Sequence, residues 1–264
     1  MSRPRRMAPS LAAHWARIAA QVRSANHVVL FLDFDGTLVD IAPLPNLVRF
    51  KPAARRLLRR LARHPRVTVV MISGRRRFEL QRHVGIPGIR YFGLYGWDHS
   101  GHSPLPKSAR TALRLARSRV APYLASVSDA WIEDKGFSFS VHLLEVSQDA
   151  QRRARRKLPV LLRPFRRHLR LIQTLRDVEV VPLCIRGKGG AVQQFLAQPA
   201  YRGTLAFYFG DDLSDEPAFD AIGKGVSVLV GAARPTRARY AIPSPAELAA
   251  TLAKLEAAIT ASAP

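Results

Sequence analysis

Val28-Val29-Leu30-Phe31-Leu32-Asp33-Phe34-Asp35-Gly36-Thr37 is the stretch on which the fold turns. Five apolar, mostly β-branched or aromatic residues run without a polar break into two acids, a glycine and a threonine. Such a run reads as a strand buried on both faces, as in a parallel sheet. Two further runs follow the same plan: 67–72 (VTVVMI) enters Ser73-Gly74-Arg75, and 205–209 (LAFYF) enters Gly210-Asp211-Asp212. Between them lie helical patterns. Residues 51–64 set Ala54, Leu57, Leu58 and Leu61 on one stripe, with Pro52 in the first turn, and 188–197 and 214–222 are further helices. Strands are also expected at 91–94 and 226–230. This alternation predicts βαβ units and an α/β fold, a Rossmann-like doubly wound parallel sheet whose ligand sits beyond the carboxyl ends of the strands. All three loaded tips fall there.

Residues 106–185 break the rhythm. A helix over 107–125 precedes strand-like runs at 130–133 and 137–143. A basic helical stretch follows at 148–168, interrupted by Pro159 and Pro164, and strands at 169–174 and 178–181 close the segment. The pattern predicts a smaller α+β domain inserted into the larger sheet. The expected organisation is an N-terminal amphipathic extension (1–25), a core domain (26–105 and 186–264) and the inserted domain (106–185).

With 264 residues, 47% hydrophobic and 23% charged, the chain can bury about 70–75% of its unfolded surface, so dominant disorder is excluded. A single cysteine, Cys184, rules out a disulfide scaffold and suits a reducing, cytoplasmic setting. No apolar run approaches the roughly 18–20 residues needed to cross a bilayer. The N-terminal arginines lack the apolar segment of a signal peptide. Leu11, Trp15, Ile18 and Val22 instead share a helix face, suited to docking on the protein's own body or, as the lesser alternative, to a membrane surface. The net charge of +23 comes mostly from arginine, only seven of the 42 basic residues being lysine. It favours anionic ligands. No nucleic-acid-reading motif accompanies it, so nucleic acid is not the expected partner.

Chemistry concentrates at the tips. Asp33 and Asp35, two apart on extended backbone, point roughly to one side, and Gly36-Thr37 allow a sharp turn that aims N–H groups at an anion. Asp211, Asp212 and Asp215 form a second acidic cluster at another strand end. So many converging carboxylates repel one another unless a cation lies among them. Hard oxygen donors with open positions suit Mg²⁺, which binds through few carboxylates plus a substrate phosphate. Ser73 offers a hydroxyl and Lys188, in Gly187-Lys188-Gly189, a compact positive charge for phosphoryl oxygens.

These four motifs, in this order, resemble the haloacid-dehalogenase superfamily of phosphotransferases. Over residues 26–230 the chain is similar to the trehalose-6-phosphate phosphatases more closely. The likeness rests on Gly210-Asp211-Asp212-Leu213-Ser214-Asp215-Glu216, on Glu133, Lys135, Gly136, Ser138 and His142, on Glu179-Val180-Val181-Pro182, and on Gly93-Leu94-Tyr95-Gly96. Asp40 and Trp97-Asp98 depart from the family's pattern, the latter near the expected sugar pocket.

The resemblance implies Mg²⁺-dependent hydrolysis of trehalose 6-phosphate, in two steps, on a small-molecule sugar phosphate. Asp33 would be the nucleophile and Asp35 the general acid, then base. The ion would be held by the Asp33 carboxylate, the Asp35 carbonyl and Asp211, with Asp215 orienting its water. Ser73, Gly74 and Lys188 would bind phosphate; Arg75, Gly96, Glu133, Lys135, His142 and Glu179 would bind sugar. The competing readings are a related sugar phosphatase, for sucrose phosphate or mannosyl-phosphoglycerate, and a nucleic-acid-binding protein with a vestigial site. The oligomeric state stays open, with a monomer favoured.

Overall fold

A computed structural model describes residues 4–42, 47–99 and 104–261. In chain order its elements are α1 (Trp15–Ser24), β1 (Val28–Leu32), α2 (Pro52–Arg63), β2 (Val67–Ile72), α3 (Arg77–Val84), β3 (Arg90–Phe92), α4 (Lys107–Leu124), β4 (Trp131–Asp134), β5 (Phe139–His142), α5 (Gln148–Leu162), β6 (Leu169–Gln173), β7 (Asp177–Pro182), α6 (Gly187–Leu196), β8 (Leu205–Gly210), α7 (Glu216–Ala221), β9 (Val226–Val230), β10 (Tyr240–Ile242) and α8 (Pro245–Thr260). The chain divides into two units, Met1–His99 with Gly187–Pro264, and Ser100–Arg186.

The first unit is built on a parallel six-stranded sheet ordered β10-β9-β8-β1-β2-β3. From β1 the chain winds outward through β2 and β3, and later returns on the other side through β8, β9 and β10. The strand order therefore reverses between β1 and β8, the point at whose carboxyl ends folds of this kind place their ligand. Alternate strand residues feed two cores. Val28, Leu30, Leu32, Val69, Met71, Phe207 and Phe209 face α1, α2, α3 and α8, whereas Val29, Phe31, Val70, Ile72 and Tyr208 face α6 and α7. Burial on both faces is why these strands are unbroken apolar runs.

The N-terminal segment docks on this unit. Leu11, Ile18, Ala19 and Val22 enter the same core as Leu248, Leu252, Leu255 and Ile259 of α8. Residues 1–3 of the expected extension, and 262–264 at the other end, lie outside the described residues. Among the described residues no helix is long and apolar enough to cross a membrane.

The second unit is an antiparallel sheet ordered β4-β5-β7-β6, with α4 packed against β6, β7 and α5. Cross-strand pairing places Trp131, His142 and Asp177 in one rung and Glu133, Ser140 and Glu179 in the next. Because side chains alternate, these rungs share a polar face opposite buried Phe139, Val141, Val178 and Val180.

Some boundaries differ from the sequence expectation. The helix expected at 214–222 opens as a 3₁₀ turn, Leu213–Asp215, because Asp212 and Asp215 cap each other's backbone N–H groups, before α7 begins. The strand expected at 91–94 stops at Phe92, since Leu94 and Tyr95 take positive φ (45° and 59°). The basic stretch 148–168 stays helical through Pro159 and ends at Leu162, one residue before the turn that carries Pro164. Neither β10 nor α8 was expected from the sequence.

Candidate active site

The parallel register sets the site. Leu32 lies level with Met71 and Phe209, so Asp33, Ser73 and Asp211 leave the sheet just beyond three adjoining strand ends. The Asp33 N–H donates to the Phe209 carbonyl at 3.0 Å, which joins the first acidic tip to the end of β8. At Gly36 φ is +82°, and an added Cβ would lie 2.1 Å from Asp211 Oδ2. Only glycine lets the first turn come so close to the second acidic tip.

Asp33, Asp211 and Asp215 are all buried, with carboxylate oxygens within 4.8 Å of one another. Lys188 reaches them from α6, 3.0 Å from Asp33 Oδ1 and 2.8 Å from Asp215 Oδ1. The Thr37 hydroxyl donates to Asp211 Oδ1 at 3.1 Å. Asp215 also accepts from the Tyr208 hydroxyl at 2.7 Å and from the Asp212 N–H at 2.9 Å.

Electrostatics follow from this crowding. Burial, then the neighbouring Asp215 and Asp211, push the Asp33 carboxyl well above its ordinary range, against the pull of Lys188. Burial opposes the Lys188 charge, yet Asp215 and Asp33 outweigh it and raise the ammonium above its usual value. Tyr208 is raised by burial and the same carboxylates, so its hydroxyl stays a neutral donor. Three buried carboxylates against one ammonium leave an excess of negative charge. Hard oxygen donors with that excess fit a divalent cation.

Asp35 does not join this group through its side chain. Its carboxylate takes a two-pronged pair from Arg75, Nε to Oδ2 at 2.7 Å and Nη2 to Oδ1 at 2.6 Å, and the guanidinium lies over the Phe34 ring. Arg75, expected from the resemblance to touch sugar, is thus engaged with the expected acid. Ser73 is buried and accepts from the Arg75 N–H at 3.2 Å. Gly74 packs on the Tyr95 ring, and Gly96, at φ +102°, presses on Ala191 of α6, where a Cβ would come within 2.2 Å. Asp98, one of the departures, accepts from the N–H of Arg77 at 2.8 Å and so serves the start of α3.

The remaining expected residues gather on the polar face of the second unit. Lys135 pairs with Glu179 and lies 3.8 Å from Glu133. The Ser140 hydroxyl donates to the same Glu179 oxygen. Burial opposes the Lys135 charge, but Glu179 and Glu133 raise it. His142 lies between Asp177 (3.1 Å) and Glu133 (2.8 Å) and stacks on Trp131, ring centroids 3.9 Å apart. Burial opposes its protonation, yet the two carboxylates carry its pKa up to about 9. Among the described residues, Glu179 Oε2 and Ser138 Oγ are buried without a hydrogen-bond partner.

Sequence reasoning missed Tyr208 and Arg234. Tyr208 read as one more apolar strand residue, although a buried tyrosine hydroxyl needs a partner, and that is the one available signal. Arg234 donates to the Asp211 and Asp212 carbonyls at 3.2 and 3.0 Å. In so arginine-rich a chain nothing marked it.

Residues 31–246 match the trehalose-phosphatase family. A trehalose-phosphate phosphatase of Mycobacterium avium is 32% identical over 245 residues, covering 86% of this chain and 61% of that one. A probable trehalose-phosphate phosphatase of Oryza sativa is 28% identical over 265 residues, covering 94% and 70%. The chain thus spans about three fifths of the length of the mycobacterial relatives it matches. The fold is similar to the C-terminal domain of Candida albicans trehalose-6-phosphate phosphatase, with TM-score 0.81, 18% identity and coverage of 95% and 98%.

Proposed function

The chain belongs to the trehalose-phosphatase family, and on that premise we propose that it hydrolyses trehalose 6-phosphate to trehalose and phosphate. The observation that carries the reading is the buried group of Asp33, Asp211 and Asp215 around Lys188, at the point where the strand order reverses.

Asp33, Asp211 and the Asp35 carbonyl would hold Mg²⁺, with Asp215 beside them. A divalent ion there supplies the positive charge that keeps the carboxylates ionised and offsets the phosphate. In the first step an Asp33 oxygen bonds to phosphorus, the bond from phosphorus to the sugar oxygen breaks, and Asp35 gives that oxygen its proton. A neutral carboxyl carries its proton on one oxygen and lacks the charge that strengthens the two-pronged bond, so the hold of Arg75 on Asp35 loosens when Asp35 acts as acid. In the second step water attacks phosphorus, Asp35 takes its proton, and the Asp33–phosphorus bond breaks to free phosphate. Ser73, the Gly74 turn and Lys188 hold the phosphoryl oxygens through both steps. Tyr208 holds Asp215.

The polar face of the second unit supplies sugar recognition through Glu133, Lys135, His142 and Glu179. Glu179 Oε2, buried and unpartnered among the described residues, suits a sugar hydroxyl as donor. A ligand lacking that hydroxyl leaves the oxygen unpaired and is rejected. Arg75 is assigned to Asp35 and Gly96 to packing, not to the sugar. A cytoplasmic monomer is the working form of this reading.

The test is phosphate release from trehalose 6-phosphate, sucrose phosphate and mannosyl-phosphoglycerate, with Mg²⁺ and with chelator. Clear preference for trehalose 6-phosphate, lost on chelation, is expected. Preference for another sugar refutes the substrate, and undiminished release under chelation refutes the metal.

A further inference from the structure

Glu216 ends the acidic motif, yet its carboxylate serves a different set of partners. It is 1% exposed and accepts from Arg234 Nη1 (2.6 Å) and Thr236 Oγ1 (2.8 Å) at one oxygen. Its other oxygen accepts from the Arg237 N–H (2.7 Å) and lies 3.8 Å from Arg5 Nε. The second amino group of Arg234 donates to the carbonyls of Asp211 and Asp212. One guanidinium therefore ties a buried carboxylate to the backbone of the tip that carries Asp211.

The segment holding Arg234 is itself held. Arg6 and Thr236 exchange two backbone hydrogen bonds of 2.9 Å, and Ala241 pairs with Pro9 and Leu11. The N-terminal arm thus meets residues 236–241 at two isolated bridges, antiparallel at Arg6–Thr236 and parallel at Ser10–Ala241. Its arginine at position 5 adds a second positive charge near Glu216.

We infer that Arg234 is a positioning residue for the cation-holding tip, kept in place by Glu216 and by the arm of residues 5–11. The inference rests on the reading of Asp33, Asp211 and Asp215 as a Mg²⁺ site. A planar guanidinium can bond a carboxylate on one edge and two carbonyls on the other, and these bonds hold the Asp211 backbone where its side chain meets Asp33. Without it the tip loses two donors, and Glu216 keeps a buried charge with its nearest cation gone.

The test measures Mg²⁺ binding by calorimetry on the full chain without substrate, for the wild type, Arg234→Met, Arg234→Lys and a deletion of residues 2–9. Amide hydrogen exchange over 211–216 is followed alongside. Arg234→Met is expected to weaken Mg²⁺ about 10–100-fold, the range for partners behind a metal ligand, and to speed exchange at the tip. Arg234→Lys recovers part of the loss, and the deletion shifts affinity and exchange the same way by less. Affinity of a folded Arg234→Met within about twofold of wild type overturns the inference. If Arg234→Met does not fold, as read by circular dichroism, unchanged affinity in both Arg234→Lys and the deletion overturns it. A wild type that binds no Mg²⁺ removes the premise itself, so the two failures are distinguishable.

Discussion

Replacing Asp33 with asparagine exchanges one carboxylate oxygen for an amide of the same shape at a 4% exposed position. The structure sets opposite expectations for activity and stability. On the proposed mechanism turnover loses its nucleophile and is expected to fall on the order of 10⁵–10⁶-fold. Stability of the metal-free protein is expected to rise. Each like-charge pair, at no more than 4.8 Å, costs about 3–4 kcal/mol or more at an effective dielectric near 20, and there are two such pairs. Losing the Lys188 contact at 3.0 Å gives back about 5–6 kcal/mol on the same basis. Lys188 keeps Asp215, and the net gain is about 2 kcal/mol, which raises the melting temperature by about 4–8 °C. The sign with pH follows from the raised Asp33 value. A carboxyl raised in the folded state favours folding below its ordinary value of 3.8, and that contribution is lost as pH climbs through the folded value. The wild type should therefore melt progressively below the variant as pH rises, and the two should converge in acid. Calorimetric melts in chelator from pH 4 to about 9, with phosphate-release assays, read both effects. A variant that melts at or below wild type in alkali, or that retains turnover, refutes the reasoning.

Three further expectations use the same geometry. His142, raised from 6.5 to about 9 by Asp177 and Glu133, contributes stability that is full below 6.5 and lost as pH rises to about 9. His142→Gln should flatten that slope, worth up to about 3 kcal/mol, in urea unfolding monitored across the window; an unchanged slope rejects the pairing. Gly36→Ala sets a side chain at φ +82° and 2.1 Å from Asp211 Oδ2, so it should cost about 2 kcal/mol or more and most activity, whereas a fully active variant would deny the tight approach. Tyr208→Phe removes a buried donor from Asp215 and should cost about 1–3 kcal/mol by chemical denaturation; no loss would mean that Lys188 alone satisfies that oxygen.

The central sheet was legible because its strands are buried on both faces. Val28–Leu32, Val67–Ile72 and Leu205–Gly210 could hardly be other than parallel core strands. The edges were not legible. Tyr240–Ile242 is three residues long and pairs with only one strand of the sheet, so it leaves no run to read. The start of α7 slipped by two residues, since reciprocal Asp212–Asp215 capping is invisible to hydrophobic periodicity. Arg75 shows the same limit within the site, for its order in the chain is plain but its pairing with Asp35, 40 residues away, is set by the turn geometry of two loops.

The residues by themselves determined the class of fold, the acids at the strand tips and the serine and lysine motifs that accompany them, because those depend on local runs and on which side-chain chemistry follows them. Only the tertiary structure decided that Asp33, Asp211 and Asp215 share a buried space with Lys188 while Asp35 turns to Arg75. It alone placed Tyr208 and Arg234 behind the site and bridged the N-terminal arm to residues 236–241. Those relations join groups far apart in sequence through strand register and backbone hydrogen bonds, and no local pattern encodes the distance between them.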